Sequence, residues 1–322
     1  MTRMYAKDTK GSPRVSCLSR PFAIFVFQNP RRRGLTPTAD CATLLVMQRP
    51  THTFPTQPLV DCHFHSEHSC DGDTPLAALC QRALQLGFSH LCPTEHADFD
   101  PQGIGYGYLN VEVYSHALAA CREQFGGQLT LLKGVEVDYQ SRFDGEVRAF
   151  LAQHTFDFVI GSVHYADGLY VGDALLEAYD PDTAYRRYFN AVREAAGSGL
   201  FDVVGHLDLL KRNAIPRWGA FESSRYADEI DAVLHATVET GTGLEINTSG
   251  LRQAPAETFP GLETLRRYRE LGGQVLTLGS DAHRLADLGR NIRHGLARAR
   301  AAGFKAIAVF VERQPRWLDI GD

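Results

Sequence analysis

This sequence offers no disulfide framework. Its seven cysteines are odd in number, include no CxxC pair and stop at Cys121, so a reducing cytoplasm is the expected compartment. No apolar run approaches the ~18 residues of a membrane-spanning helix. Positive charge is scarce outside the first 46 residues. That segment holds eight Lys/Arg against two Asp/Glu, while the whole chain of 322 residues holds 33 against 38. An acidic body lacks the basic footprint that a nucleic-acid backbone requires. Neither a membrane nor a nucleic acid is an expected partner, and the oligomeric state stays open.

The opening stretch has little pattern. "MTRMYAKDTKGSPRVSCLSR" is polar, and "PFAIFVF" is too short for a secretory signal and has no small-residue cleavage site after it. Residues 1–55 are expected to be an extension, either a disordered tail or the product of an upstream start. Met47 opens a chain that reaches its first strand within a dozen residues. A basic targeting arm is the alternative. Residues 56–322 are expected to form one domain.

From Leu59 onward, strands and helices alternate. Apolar, β-rich runs fall at 59–65, 89–95, 129–137, 156–163, 202–206, 243–248, 275–281 and 306–312. Helical patterns lie between them. "TPLAALCQRALQLG" has Thr74 placed to cap, Pro75 in the first turn and Gly87 to close. "DPDTAYRRYFNAVREAAGSG", "SSRYADEIDAVLHATVETG" and "GLETLRRYRELGG" repeat the scheme. Non-alternating strands between helices predict an α/β fold with a buried parallel sheet. Seven or eight units suit a closed barrel better than an open doubly wound sheet.

Against these scarcities, histidine is abundant, with thirteen residues. "LVDCHFH" ends the first strand, and residues i and i+2 of a strand share a face, so His63 and His65 project together. The later strands end in Glu95 and His96, Glu136, His164, His206 with Asp208, Asn247 with Arg252, and Asp281 with His283. In a barrel those carboxyl ends form one face, where active sites are built. A lone histidine at a strand end is more often a hydrogen-bonded structural residue. Converging histidines and carboxylates would cost several kcal/mol each to bury without a metal. Imidazole with carboxylate suits zinc, manganese or iron(II), and the count suits two or three divalent ions. His90, His116, His154, His235 and His294 sit on the wrong end or element and read as structural. His68 lies offset from the rim.

The motifs "DCHFHSEHSCDG", "TEHADFD", "GVEVD", "GSVH", "GHLDLLKR", "EINTSGLR" and "LGSDAHR" together resemble the polymerase and histidinol phosphatase (PHP) superfamily over residues 59 to about 300. The nearest likeness is to its monofunctional histidinol-phosphatases. The resemblance implies a distorted seven-stranded (β/α)7 TIM-like barrel, the PHP fold, with up to three metals. The first would sit on His63, His65, Glu136 and Asp281, and a second would share Glu136 and add His164 and His206. A third would take Asp71, His96 and His283. Asp71 occupies a position that is His or Asp in different members. Glu95 is expected to orient a metal-bound imidazole rather than to ligate.

The implied activity is hydrolysis of L-histidinol phosphate to L-histidinol and phosphate, in histidine biosynthesis. A metal-activated hydroxide would attack with no phosphoenzyme. Another PHP phosphoesterase, acting on nucleotides, oligonucleotides or phosphotyrosine, is the alternative, and an eroded non-enzymatic scaffold is a third reading. Arg252 is expected to fork onto the phosphate, with Lys211 or Arg212 helping or lying on a solvated helix face. Asp208 is expected to orient His206, protonate the leaving alkoxide or bind the substrate amine. Asp98, Asp100, Phe99 and the tyrosines of "GYGYL" are expected to face the alcohol. "GIGYGY" lacks a nucleotide loop's spacing and helix and reads as a mobile active-site loop. "YADGLYVGDALLEAYDPD" reads as a second flap.

Overall fold

The structure, a computed structural model, describes residues 59–321. The expectations for residues 1–55 and for a start at Met47 lie outside them. In chain order the strands are β1 (Val60–Asp61), β2 (His90–Leu91), β3 (Thr94–Ala97), β4 (Thr130–Leu131), β5 (Gly134–Asp138) and β6 (Phe158–Ser162). There follow the hairpin β7 (Tyr165–Ala166) and β8 (Leu169–Tyr170), then β9 (Val203–Val204), β10 (Gly243–Asn247) and β11 (Leu276–Gly279). A second hairpin, β12 (Ala306–Val311) and β13 (Gln314–Asp319), closes the chain.

Two all-parallel sheets run β1-β2-β4 and β11-β10-β9-β6-β5-β3. Strands β5, β6, β10 and β11 are buried at every residue, as a sheet covered by helices on its outer face demands. Two strands expected whole are split, and the breaks have local causes. Pro93, between β2 and β3, has no N–H to give. Lys133, between β4 and β5, donates its N–H to the Asp157 side chain (2.8 Å) instead of to a ladder.

The segment 61–65 hydrogen-bonds on both sides. Cys62 N–H donates to Leu278 O (2.8 Å) and His65 N–H to Ala282 O (2.8 Å), while Cys92 and Thr94 N–H donate to Asp61 O and Phe64 O (both 2.9 Å). The sheet is therefore strongly curled, and its carboxyl-terminal ends converge.

Two expectations need correction. The eighth run, β12, is not a parallel unit. Glu312 and Arg313 both adopt positive φ (51° and 63°), the geometry of a two-residue hairpin turn, and β12 pairs antiparallel with β13. Its Phe310 stacks on Phe158, with ring centroids 5.2 Å apart. Thr74 does not cap the helix Leu76–Leu86, because Pro75 holds that position. The Thr74 hydroxyl donates to Asp73 and accepts from Leu285 N–H (3.2 Å), tying the first strand's loop to the last. The helix Pro181–Gly197 starts as expected, with Asp180 accepting from Thr183 N–H. Ala227–Thr240 ends at left-handed Gly241.

Candidate metal centre

Strand periodicity builds the centre. Phe64 points into the core, fully buried, and His63 and His65 point the other way. On the neighbouring strands His96 and Glu136 are register partners, so their side chains stand side by side. Glu136 is the hub. Its Oε2 lies 3.3 Å from His63 Nε2, 3.5 Å from His65 Nε2 and 3.0 Å from His96 Nδ1. Its Oε1 lies 3.0 Å from His206 Nε2 and 3.8 Å from His164 Nε2.

All nine expected ligands meet here, in three groups whose donor atoms lie within 4.8 Å of one another. His63, His65 and Asp281 form one, and Glu136, His164 and His206 another. His65, Asp71, His96 and His283 form the third, in which Asp71 Oδ2 is 3.1 Å from His283 Nε2 and 3.5 Å from His96 Nε2.

The polar groups behind fix the direction of each donor. His63 Nδ1 donates to Glu245 Oε1 (2.7 Å), which turns Nε2 to the hub, where a metal ion would take the place of its proton. Ser69 Oγ spends its proton on Glu95 Oε2 (2.7 Å), so His65 Nδ1 must donate to Ser69 (3.0 Å) and Nε2 is bare. Glu95 also accepts from Ser66 N–H and Oγ. It therefore orients His65 through Ser69, a role in line with its expected indirect one. Asp138 Oδ1 accepts from His164 N–H (3.0 Å). Asp281 sits at a positive φ of 52°, a strained position for a side-chain-bearing residue. Asn247 and Ser249 hold its Oδ2 (3.2 and 3.1 Å), turning Oδ1 to the centre. Gly279 permits the His63–Glu245 contact, since a Cβ there would stand 2.2 Å from Glu245 Oε1 and 2.3 Å from His63 Cβ.

Protonation is polarised across the site. Burial works to lower the His63 pKa, but Glu245, Glu136 and Asp281 outweigh it and hold it well above the ordinary value. Burial pushes His65 well below, helped by His96 and His283. Burial would raise Glu136, Asp281 and Asp71, yet the surrounding imidazoles keep all three below the usual carboxylate range.

These residues fit divalent cations. His63 Nε2, His65 Nε2 and Glu136 Oε2 are buried and make no hydrogen bond. His164 Nε2 and His206 Nε2 stand 3.3 Å apart, both aimed at the same carboxylate oxygen. Bare donors of one polarity crowded together are a ligand set rather than a hydrogen-bond network.

The centre lies in a cavity of about 510 Å³, lined also by Cys70, Asp98, Ile104, Tyr165, Tyr170, Leu209, Arg212 and Gln253. The expected basic residues divide. Arg212 lines the cavity, and its guanidinium donates a long hydrogen bond to Tyr170 Oη (3.4 Å). Lys211 is fully buried, neither facing phosphate nor lying on a solvated face. It donates to Asp208 (2.8 Å), Glu257 (2.7 Å) and Thr258 O (3.2 Å). Asp208 is its partner, and burial pushes that carboxyl up despite Lys211. Arg252 does not line the cavity. Its Nη2 donates to the carbonyls of Ser280 and Asp281 (2.7 and 2.9 Å), bracing the strained ligand from behind.

Of the residues expected near the alcohol, Asp98 is in the cavity. Asp100 pairs with Arg142, Phe99 packs on Phe150, and Tyr106 and Tyr108 are exposed outside it. Tyr165 and Tyr170 of the β7–β8 hairpin line it instead. His68 packs against Tyr114, and among the structural histidines His90 and His116 bond locally. Two positions escaped sequence reasoning. Glu245 lies inside an apolar strand, and only its charge in a buried run could have flagged it. Asp61 sits under the centre, accepting from Ser280 and Gly289, and burial pushes its carboxyl up to about 6.

Three comparisons bear on this site. A family model described as "PHP domain" matches residues 61–249. The chain is 31% identical to a probable histidinol-phosphatase of Deinococcus radiodurans, over 77% of this chain and 95% of that protein. It is 28% identical to the histidinol-phosphatase of Lactococcus lactis subsp. lactis, over 78% and 94%. A crystal structure of a histidinol phosphate phosphatase from that organism, complexed with Zn, L-histidinol and phosphate, superposes with a TM-score of 0.73. It shares 26% identity and covers 80% of this chain and 98% of its own. A match across more than half of the chain, on a fold whose curled parallel sheet gathers nine histidine and carboxylate side chains, makes this chain a member of the PHP-domain family.

Proposed function

We propose that this chain is a metal-dependent phosphatase that hydrolyses L-histidinol phosphate to L-histidinol and phosphate. The observation that carries the reading is Glu136, a buried carboxylate with five imidazoles within 4 Å across its two oxygens. That arrangement stands in a chain alike over most of its length to histidinol-phosphatases. When bound, divalent ions supply the Lewis-acid charge that activates water and neutralises phosphate oxygens.

The chain's own residues do the rest. Three groups of residues would hold the ions, with Glu136 central to them: His63, His65 and Asp281 in one, His164 and His206 in another, and Asp71, His96 and His283 in a third. Glu245 and the Glu95–Ser69 pair keep the imidazoles of His63 and His65 in the ligating tautomer. Arg212, the one Lys or Arg among the described residues lining the cavity, offers its guanidinium fork to the phosphate. Lys211 and Asp208 anchor the segment that carries His206 and Arg212, and Arg252 positions Asp281.

The bonds of residues 61–65 to both neighbouring strands support a distorted seven-stranded barrel. Free thiols at Cys62, Cys70, Cys80, Cys92 and Cys121 support a reducing, cytoplasmic setting. Among the described residues no helix is long and apolar enough to cross a membrane.

Metal analysis with steady-state kinetics tests the reading. The purified protein is expected to hold two or three divalent ions per chain. Its kcat/KM for L-histidinol phosphate should exceed that for p-nitrophenyl phosphate by at least about tenfold, a margin one charged contact can supply. Equal efficiency, or a preference for an oligonucleotide, would remove the substrate and leave the metal site.

A further inference from the structure

Four carboxylates line the cavity: Asp71, Asp98, Glu136 and Asp281. Three of them face two or more imidazoles within 4 Å. Asp98 is the exception. It has no ion pair among the described residues, and its Oδ1 is buried without a hydrogen bond. A carboxylate oxygen withdrawn from water and left unpaired costs free energy. At a cavity wall, a cation arriving with the substrate removes that cost.

The surroundings are shaped to the group. Asp98 bridges to Tyr106 in the loop above it. Gly105 lies so close that a Cβ there would stand 2.1 Å from Asp98 Oδ2, so any larger residue would displace the carboxylate. The wall beyond is aromatic and apolar, with Tyr165 and Tyr170 (ring centroids 5.6 Å apart), Ile104 and Leu209. The metal-ligand groups and Arg212, which reaches Tyr170 Oη (3.4 Å), suit a phosphate, and Asp98 with the aromatic wall suits a cationic, ring-bearing alcohol attached to it.

We propose that Asp98 sets substrate specificity, its carboxylate receiving the primary ammonium of the leaving amino alcohol while Tyr165 and Tyr170 flank the heteroaromatic ring. The inference rests on the histidinol-phosphate reading given above. The ammonium is the better partner, because an imidazole with a pKa of about 6.5 is largely neutral at pH 7 and needs a surface rather than a counter-charge.

The test is Asp98→Asn, which removes charge at nearly constant shape. For L-histidinol phosphate, kcat/KM is expected to fall about 10- to 100-fold, mostly through KM, the size of one charged hydrogen bond. For p-nitrophenyl phosphate, whose leaving group is uncharged, it should stay within about twofold, with metal content unchanged. On the amine-free analogue of histidinol phosphate, wild type and variant should be equally efficient.

Equal losses on all substrates, or lost metal, would overturn the proposal by making Asp98 a support of the metal centre through His96. A loss that persists on the amine-free analogue would overturn the ammonium assignment. A wild-type enzyme that does not prefer histidinol phosphate over p-nitrophenyl phosphate would strike the substrate reading instead. If Asp98→Asn does not fold, product inhibition of the wild-type enzyme decides. L-Histidinol should inhibit at least about tenfold more strongly than its amine-free analogue, and equal inhibition overturns the proposal.

Discussion

The two ends of the parallel sheet hold their carboxylates in opposite ways. At the amino-terminal end, Asp157 accepts from Lys133 N–H, Arg122 and Glu312 N–H (2.8, 3.0 and 3.1 Å). Asp202 accepts from Val159 N–H and Arg313 Nε (2.8 and 2.6 Å). These groups tie strands, a helix and the terminal hairpin together. At the carboxyl-terminal end, Glu136 Oε2, His63 Nε2 and His65 Nε2 are more deeply buried and yet make no hydrogen bond. One chain satisfies its polar groups at one end of its strands and leaves them bare at the other. Native structures rarely leave buried polar atoms unpaired without a ligand to receive them. The bare end is therefore where folding energy is held back for binding, and the satisfied end is where it is spent on stability.

Breaking the hub should have the largest effect. Glu136→Gln keeps the shape but removes a charge that faces His63, His65 and His96 through Oε2 and His164 and His206 through Oε1. Activity is expected to fall at least about 10³-fold with loss of bound metal, measured by phosphate release beside elemental analysis. Full activity in that variant would remove Glu136 from the centre of the site. Chelation of the wild-type protein should abolish activity in the same way. Glu245→Gln acts one bond further out. The neutral amide still accepts from His63 Nδ1 but makes the imidazole a weaker donor. A loss of about 10- to 100-fold in metal affinity is expected, read by competition with a chelator. Unchanged affinity would mean that Glu245 only packs the strand.

The bare end was legible in the sequence for a geometric reason. Two-residue spacing and strand ends fix where His63, His65, Glu136 and Asp281 point, so residue type and position together carried the information. Direction on a helix is harder. Lys211 and Arg212 are adjacent, but neighbouring helical residues point about 100° apart, and the sequence does not show which faces the cavity. One is sealed under the loop with Asp208 and Glu257, and the other lines the site. Arg252 is ambiguous for a related reason: a cation just after a strand reads the same whether it reaches a ligand or a backbone carbonyl. The terminal run 306–312 has the apolar composition of the inner strands. Its turn at Glu312–Arg313 carries no glycine to announce a hairpin, so its departure from the parallel sheet was hidden.

The satisfied end makes the subtlest prediction, one of pH. Burial pushes Asp202 up to about 6 from an unfolded value of 3.8, outweighing Arg313 and the Val159 N–H that pull it down. An acid whose folded pKa is raised binds its proton more tightly in the native state. Its contribution to stability is fully present below about pH 4 and is lost as pH rises through about 6. Wild-type stability alone would blur this, because the histidines of the metal centre titrate in the same window. The difference between wild type and Asp202→Asn isolates it, since asparagine keeps an acceptor for Val159 N–H and does not titrate. Relative to the variant, the wild-type protein should gain up to about 1.4 kcal/mol per pH unit as pH falls from about 6 to about 4. Urea unfolding of the metal-stripped proteins across that range measures the slope. A flat difference, or one of opposite sign, would mean that Arg313 governs the carboxylate. The amino-terminal end would then be held by charge pairing rather than by burial and backbone hydrogen bonds.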